Sequence, residues 1–222
     1  MIESTANTDS FLGMPIVQFL AEYWQKKPLL IRQAFPGYQA PLSPEDLAGL
    51  ACEQGPLSRL VSYERENDKW HLRNGPFDED EFPALGHKDW TLLVQDMDKW
   101  DGDVGQLLEA FRFIPRWRID DVMISFAVEG GSVGPHIDQY DVFLLQAQGH
   151  RQWQIEDQAR FEPAFREDSE LKLLVEFTPT HTWDLAPGDM LYLPPGFAHH
   201  GVALDSCMTF SVGTRAPSSA EM

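Results

Sequence analysis

Residues 131–153, GSVGPHIDQYDVFLLQAQGHRQW, and residues 186–201, APGDMLYLPPGFAHHG, decide the fold of this chain. In the first stretch His136 and Asp138 are two residues apart, so both side chains point to the same face of an extended strand. In the second, a Pro-Pro-Gly turn precedes His199. A small β-barrel would bring these three side chains together. Two imidazoles and one carboxylate form the facial site of non-haem Fe(II) oxygenases, which leaves positions open for a cosubstrate and dioxygen.

The spacing of the turn residues in the second stretch supports this interpretation. Gly188, Pro194, Gly196 and His199 fit the second cupin motif: a glycine, five residues, a proline, any residue, a glycine, two residues and a histidine. A structural zinc site would need four filled tetrahedral positions, usually with cysteine ligands. The alternative is that the two histidines and the aspartate are buried structural polar groups, since a His-x-Asp pair alone is a weak signal.

The chain beyond residue 120 consists of short predicted strands separated by turns, a pattern typical of a double-sheet jelly roll. We expect a mainly β fold with flanking helices. In it, residues 121–217 form a double-stranded β-helix core and residues 15–120 form an α/β amino-terminal part. Residues 1–14 are predicted to be a flexible tail, and residues 218–222 a short carboxy-terminal tail.

Local signals predict helices in the amino-terminal part. Residues 15–27 have apolar residues at helical spacing. Ser43 is a candidate N-cap, followed by a proline at the first helical position and an acid three residues after the cap. The charged and weakly patterned residues 156–176 are predicted to be a loop or a short helix inserted between barrel strands.

Acidic residues outnumber basic ones, with 35 Asp and Glu against 17 Lys and Arg, so the formal net charge is −18. A surface this acidic repels nucleic acid phosphates and anionic membranes, so we expect no direct binding to either. It attracts basic partners, and a basic protein substrate would be steered towards it. The simpler interpretation is that the charge only confers solubility.

The cysteine content and the absence of targeting signals predict a cytoplasmic protein. Cys52 and Cys207 are far apart and have no metal-type spacing, which argues against a disulfide framework and for a reducing compartment. The first residues lack the basic start and apolar stretch of a signal peptide. No apolar run is long enough to span a bilayer.

A single arginine on the strand after the metal motif is the candidate anchor for an anionic cosubstrate. Arg151 opens the predicted strand RQWQIE, where alternation puts it on one face with Trp153. A guanidinium inside a mostly apolar barrel requires an anion, and its planar fork matches a carboxylate in bidentate geometry. The alternative is a surface arginine beside His150.

Two further side chains are candidates for the same site. Ser125 shares a face with Met123 and Ala127 on the strand before the metal motif, so its hydroxyl would reach the same carboxylate or bond a backbone carbonyl. Tyr140 is in phase with the proposed metal ligands and would line the substrate entrance or pack in the core.

The remaining polar candidates have ordinary structural explanations. His71, His87 and His181 lack acid or histidine partners at ligand spacing, so we expect them to be ordinary strand or loop residues. The acidic run of residues 78–81 is most simply a solvated loop, with a docking site for a basic partner as the alternative.

Taken together, several segments resemble one known family. FLAEYWQKKPLLIR, WTLLVQDMDKW, HIDQYDVF, and GDMLYLPPGFAHHG followed by FSVGTRAP look like the bacterial cupin-like JmjC oxygenases that hydroxylate ribosomal proteins. Within that family they are most similar to the arginine hydroxylases of the large ribosomal subunit. The resemblance extends from about Pro15 to Pro217, nearly the whole chain.

The resemblance implies a specific site and reaction. Fe(II) would be held by His136, Asp138 and His199, with 2-oxoglutarate bound at the metal and its distal carboxylate on Arg151. The enzyme would be a 2-oxoglutarate-dependent dioxygenase that releases succinate and carbon dioxide and hydroxylates an arginine side chain of a basic large-subunit ribosomal protein. Many JmjC enzymes have lysine at the anchoring position, where this chain has arginine.

Full-length relatives continue beyond the barrel into a helical dimerisation region and a small winged-helix-like domain, and we expect neither in these 222 residues. The resemblance therefore does not predict whether this chain forms the homodimer of its full-length relatives. Two alternative functions are a non-catalytic metal-binding cupin that recognises a basic protein, and a small-molecule 2-oxoglutarate oxygenase. Substrate-free conversion of 2-oxoglutarate to succinate would exclude the first. Stimulation by a basic peptide, but not by free amino acids, would exclude the second.

Overall fold

The computed structural model describes residues 2–8, 10–160 and 162–215. Most of the regular structure in these ranges is β-strand. In chain order the strands are β1 Glu3–Thr5, β2 Leu29–Arg32, β3 Ser58–Glu64, β4 Lys69–Asn74, β5 Trp90–Val94, β6 Ile119–Ala127, β7 His136–Ile137, β8 Val142–Gln148, β9 Arg151–Ala159, β10 His181–Leu185, β11 Met190–Leu193, β12 Phe197–Ala203 and β13 Cys207–Thr214.

The strands form two sheets that pack on each other. The larger sheet has nine strands in the order β1-β2-β11-β8-β13-β6-β5-β3-β4, and the smaller has four in the order β10-β9-β12-β7. Apolar side chains of β8 and β11 in the large sheet pack against Trp153, Ile155 and Leu185 of the small one. The mainly β double-sheet fold predicted from the sequence is confirmed, and β3, β4 and β5 of the amino-terminal part extend the large sheet.

Short helices cover the outer side of the large sheet. They are α1 Ile16–Glu22, α2 Pro44–Cys52, α3 Glu81–Ala84, α4 Met97–Trp100 and α5 Gly102–Gln106, with 3-10 turns at Leu107–Phe111 and Arg116–Arg118. At α2 the predicted cap is present, since the Ser43 hydroxyl accepts from Asp46 N and the Asp46 carboxylate accepts from Ser43 N. The helix predicted over residues 15–27 ends at Glu22, and the chain turns at Gln25, where φ is 58°.

Alternate residues of the central strands point to opposite sides of the large sheet. Along β13, Met208, Phe210 and Val212 belong to the main hydrophobic core beneath the helices. Thr209 and Ser211, between them, line a cavity between the two sheets. The sheet thus separates an apolar layer from the region that holds the candidate site.

The amino-terminal residues differ from the predicted flexible tail. Glu3–Thr5 forms β1, which pairs in parallel with β2, and Leu12 is fully buried. A polar strand of three residues has no periodic signal that sequence analysis would detect. At the other end, the predicted tail of residues 218–222 and the last two residues of the predicted core lie outside the described residues.

Across the described ranges, the helices are all too short to cross a lipid bilayer.

Candidate metal centre

The two histidines and the aspartate of the predicted metal motif come together across β7 and β12. His199 lies opposite His136 in the antiparallel register, and their ring centroids are 4.2 Å apart. One ligand atom of each of His136, Asp138 and His199 lies within 4.8 Å of the others, and His199 Nε2 is 3.5 Å from an Asp138 carboxylate oxygen. The three side chains are therefore close enough together to be candidate ligands of one metal ion.

Both imidazole rings are oriented by backbone carbonyls. His136 Nδ1 is 2.9 Å from the Gly134 carbonyl oxygen, and His199 Nδ1 is 2.9 Å from that of Phe197. Because a carbonyl oxygen only accepts, each Nδ1 donates its proton there and each Nε2 keeps a lone pair for a metal. Burial, together with the neighbouring His136, lowers the pKa of His199 to about 4. The ring is therefore neutral at physiological pH, as metal binding requires.

Arg151 lines the same cavity and is only 3% exposed. Its Nε and Nη2 have no hydrogen-bond partner among the residues that the structure describes, and the guanidinium lies 5.7 Å from the ring centre of Trp153. The surface alternative does not apply, because Arg151 is buried while His150 pairs with Asp205 in the exposed turn. A buried guanidinium is costly unless an anion neutralises it, so its position favours an anionic ligand.

The cavity between the sheets has a volume of about 420 Å³, and Ser125 also contributes to its wall. Ser125 is 5% exposed and lies opposite Thr209 in the register of β6 with β13. Sequence reasoning missed Thr209 and Ser211 on β13 as lining residues. Their alternation with large apolar residues in the stretch CMTFSVG is the signal that predicts them.

Tyr140 lines the cavity, whereas His200, the second histidine of the His-His pair, packs against Phe177. Tyr140 is 40% exposed where it lines the cavity, and the charge of Asp138, followed by burial, raises its pKa. The ring of His200 is half-buried and packs edge-on against Phe177, with centroids 6.1 Å apart. Burial lowers the pKa of His200 to about 4 as well.

The other candidates lie outside the wall of the cavity. His71 is 3.6 Å from a Glu64 carboxylate oxygen, and His181 stacks on Trp183. Residues 78–80 of the acidic run are exposed, and α3 begins at Glu81.

Comparison with known proteins places this architecture in a family. The JmjC domain family matches residues 106–222. The chain is 43% identical over 204 residues to the ribosomal protein uL16 3-hydroxylase of Escherichia coli, covering 92% of this chain and 53% of that protein. It is 41% identical over 200 residues to a probable ribosomal oxygenase of Haemophilus influenzae, covering 90% of this chain and 49% of the relative.

A solved structure shows the same fold. The Escherichia coli ribosomal oxygenase YcfD in complex with cobalt and 2-oxoglutarate matches with a TM-score of 0.83 and 42% identity, over 94% of this chain and 54% of that one. The chain thus spans about half the length of the relatives it matches. With the double-sheet barrel, the clustered histidines and aspartate and the family match over more than half of its residues, the chain belongs to the JmjC-domain family.

Proposed function

We propose that the protein is an Fe(II)- and 2-oxoglutarate-dependent hydroxylase that acts on a large-subunit ribosomal protein, at an arginine side chain. One observation carries this proposal: a cluster of metal-ligating side chains and a buried arginine without an anionic partner among the described residues line one cavity. The names of the relatives supply the ribosomal substrate class.

The positions of the site residues support a separate role for each of them in this proposal. His136, Asp138 and His199 would hold Fe(II), which, when bound, supplies the activation of dioxygen that hydroxylation needs. Arg151 binds the distal carboxylate of 2-oxoglutarate through a charge-assisted bidentate contact. The Ser125 hydroxyl offers a further donor to the same cosubstrate.

One carboxylate of the cavity wall is available to a cationic substrate side chain, although Arg59 and Lys172 line the same wall. Asp121 is a half-buried carboxylate in the cavity wall, and burial raises its pKa. It accepts from Asp96 N at 3.1 Å, which leaves carboxylate lone pairs for a second donor. A guanidinium would pair with this half-buried carboxylate through a charge-assisted contact. The net charge of −18 also attracts a basic ribosomal protein.

The proposal is tested by incubating the Fe(II)-loaded protein with 2-oxoglutarate, dioxygen and recombinant uL16. We expect succinate formation coupled to the addition of one oxygen atom to an arginine of uL16, located by tandem mass spectrometry. A peptide with lysine in place of that arginine should not be oxidised, and zinc-loaded protein should be inactive because zinc has no redox chemistry.

The other functions predict different outcomes. Hydroxylation of a histidine of uL16 would support the hydroxylase function but would show that the assignment to arginine is wrong. Turnover stimulated by free amino acids but not by uL16 would indicate a small-molecule oxygenase. Metal and uL16 binding without any conversion of 2-oxoglutarate would indicate a non-catalytic binding protein.

A further inference from the structure

The chain between β9 and β10 folds over the cavity as a separate segment, and residues 162–176 are here called the strap. Its two arms pair in antiparallel fashion. Arg166 N donates to Leu173 O at 2.8 Å, and Val175 N donates to Ala164 O at 3.0 Å. The strap is therefore held together by its own backbone hydrogen bonds, although it contains no helix.

The return arm of the strap is attached to the residues just before the first candidate metal ligand. Leu174 N donates to Pro135 O at 2.9 Å. Leu173 is 1% exposed and lies so close to Gly134 that a Cβ at that glycine would be 2.5 Å from the leucine Cδ2. Because the Gly134 carbonyl orients the ring of His136, this arm supports the candidate metal centre through Gly134.

The outgoing arm is joined to a different part of the molecule, the turn between β3 and β4. The Arg166 guanidinium contacts this turn twice, at 2.9 Å from a carboxylate oxygen of Asp68 and at 2.9 Å from its carbonyl oxygen. It also pairs with both carboxylate oxygens of Asp168 within the strap, at 2.9 and 2.8 Å. With its side chain 22% exposed, Arg166 bridges two segments that are far apart in sequence.

Both bridged segments contribute residues to the cavity wall. The strap contributes Glu170, Leu171, Lys172 and Leu173, and the β3–β4 pair contributes Arg59, Val61 and Leu72. The buried Arg151 and the candidate metal ligands line the same cavity.

We infer, on the basis of the proposed function, that Arg166 is a positioning residue for the polypeptide substrate. By joining the strap to the β3–β4 turn it sets the width of the opening through which the substrate side chain enters. Loss of the bridge frees the outgoing arm. The contacts of Leu173 and Leu174 with Gly134 and Pro135 keep the return arm in place next to β7. Loss of the bridge therefore weakens the binding of the polypeptide substrate and leaves the binding of 2-oxoglutarate unchanged.

The kinetic test compares Arg166→Ala with wild type and with Arg65→Ala. Arg65 lies at the same turn and pairs with Asp89 at 2.9 Å. For Arg166→Ala we expect the KM for a uL16 peptide to rise on the order of tenfold, with kcat within about twofold and the KM for 2-oxoglutarate unchanged. Arg166→Lys should restore part of the loss. An unchanged peptide KM, or an equal rise in Arg65→Ala, overturns the inference.

Hydrogen–deuterium exchange of the metal-free proteins tests the bridge without any activity. Arg166→Ala should exchange faster than wild type in residues 164–168 and 66–70, and Arg65→Ala should not change the strap. If wild-type protein fails to oxidise uL16, the proposed function is wrong and exchange alone decides on the bridge. Unchanged exchange in both segments of Arg166→Ala then overturns it, and faster exchange in both supports it.

Discussion

The two sides of the nine-stranded sheet differ in the size and polarity of their side chains, although they alternate along the same strands. Towards the helices, Phe143 and Phe210 are fully buried in an aromatic-rich core. Towards the small sheet, the same region of the sheet carries Ser125, Thr209 and Ser211, which leave room for a cavity. The contrast suggests that one side mainly stabilises the fold and the other mainly binds ligands.

The largest expected effect distinguishes adjacent residues on opposite faces of β12. His199→Ala removes one of three candidate ligands and should abolish Fe(II) binding, whereas His200→Ala should retain the metal because its ring packs against Phe177. Metal content after dialysis, or calorimetry with cobalt, measures the difference. The reverse pattern would show that the assignment of the two faces is wrong.

Truncation on the helix side should mainly reduce stability. Phe143→Ala leaves a void in a closed core, and we expect the free energy of unfolding to fall by about 3–5 kcal/mol in urea denaturation. Leu144→Ala, one residue further on, borders the existing cavity and should cost less, at about 2–3 kcal/mol. Equal losses at both positions would contradict the comparison.

Removing the buried positive charge of Arg151 on the cavity side should mainly weaken the binding of the cosubstrate. Arg151→Ala should weaken the binding of 2-oxoglutarate by on the order of 2–4 kcal/mol, because a charge-assisted bidentate contact in a buried site is lost. Arg151→Lys should recover part of this, and metal binding should persist in both variants. Titration of the cobalt-loaded protein with 2-oxoglutarate measures the affinity. An unchanged affinity in the alanine variant would place the anchor elsewhere.

The smallest effect is expected at Ser125. Ser125→Ala removes one neutral hydroxyl from the cavity wall and should weaken the binding of 2-oxoglutarate by about 0.5–1.5 kcal/mol. The free energy of unfolding should change little. The same titration, paired with urea denaturation, checks both. A large loss of stability with unchanged affinity would mean that the hydroxyl serves only the fold.

The barrel and the grouping of His136, Asp138 and His199 could be predicted from sequence because their signals are local. A two-residue spacing fixes a shared strand face, and glycine and proline mark the turns that bring the second histidine back. The burial of Arg151 followed from the alternation along a single strand, once the barrel was assumed.

Features that depend on distant contacts could not be predicted in this way. The bridge from Arg166 to Asp68 joins residues 98 positions apart, and the strap has no hydrophobic period that indicates its fold. Strand β1 was missed for the same reason, since only its pairing with β2 distinguishes it from a polar tail.

Strand β1 has a consequence for how the protein behaves when it is shortened. Besides the register of β1 with β2, Leu30 N donates to Ile2 O at 2.8 Å and Ala6 N donates to Arg32 O at 2.9 Å, so this short stretch occupies one border of the large sheet. Deleting it would leave backbone groups of β2 open to a strand from another molecule. Amino-terminal truncation should therefore promote self-association through the sheet while the residues of the metal centre are left intact.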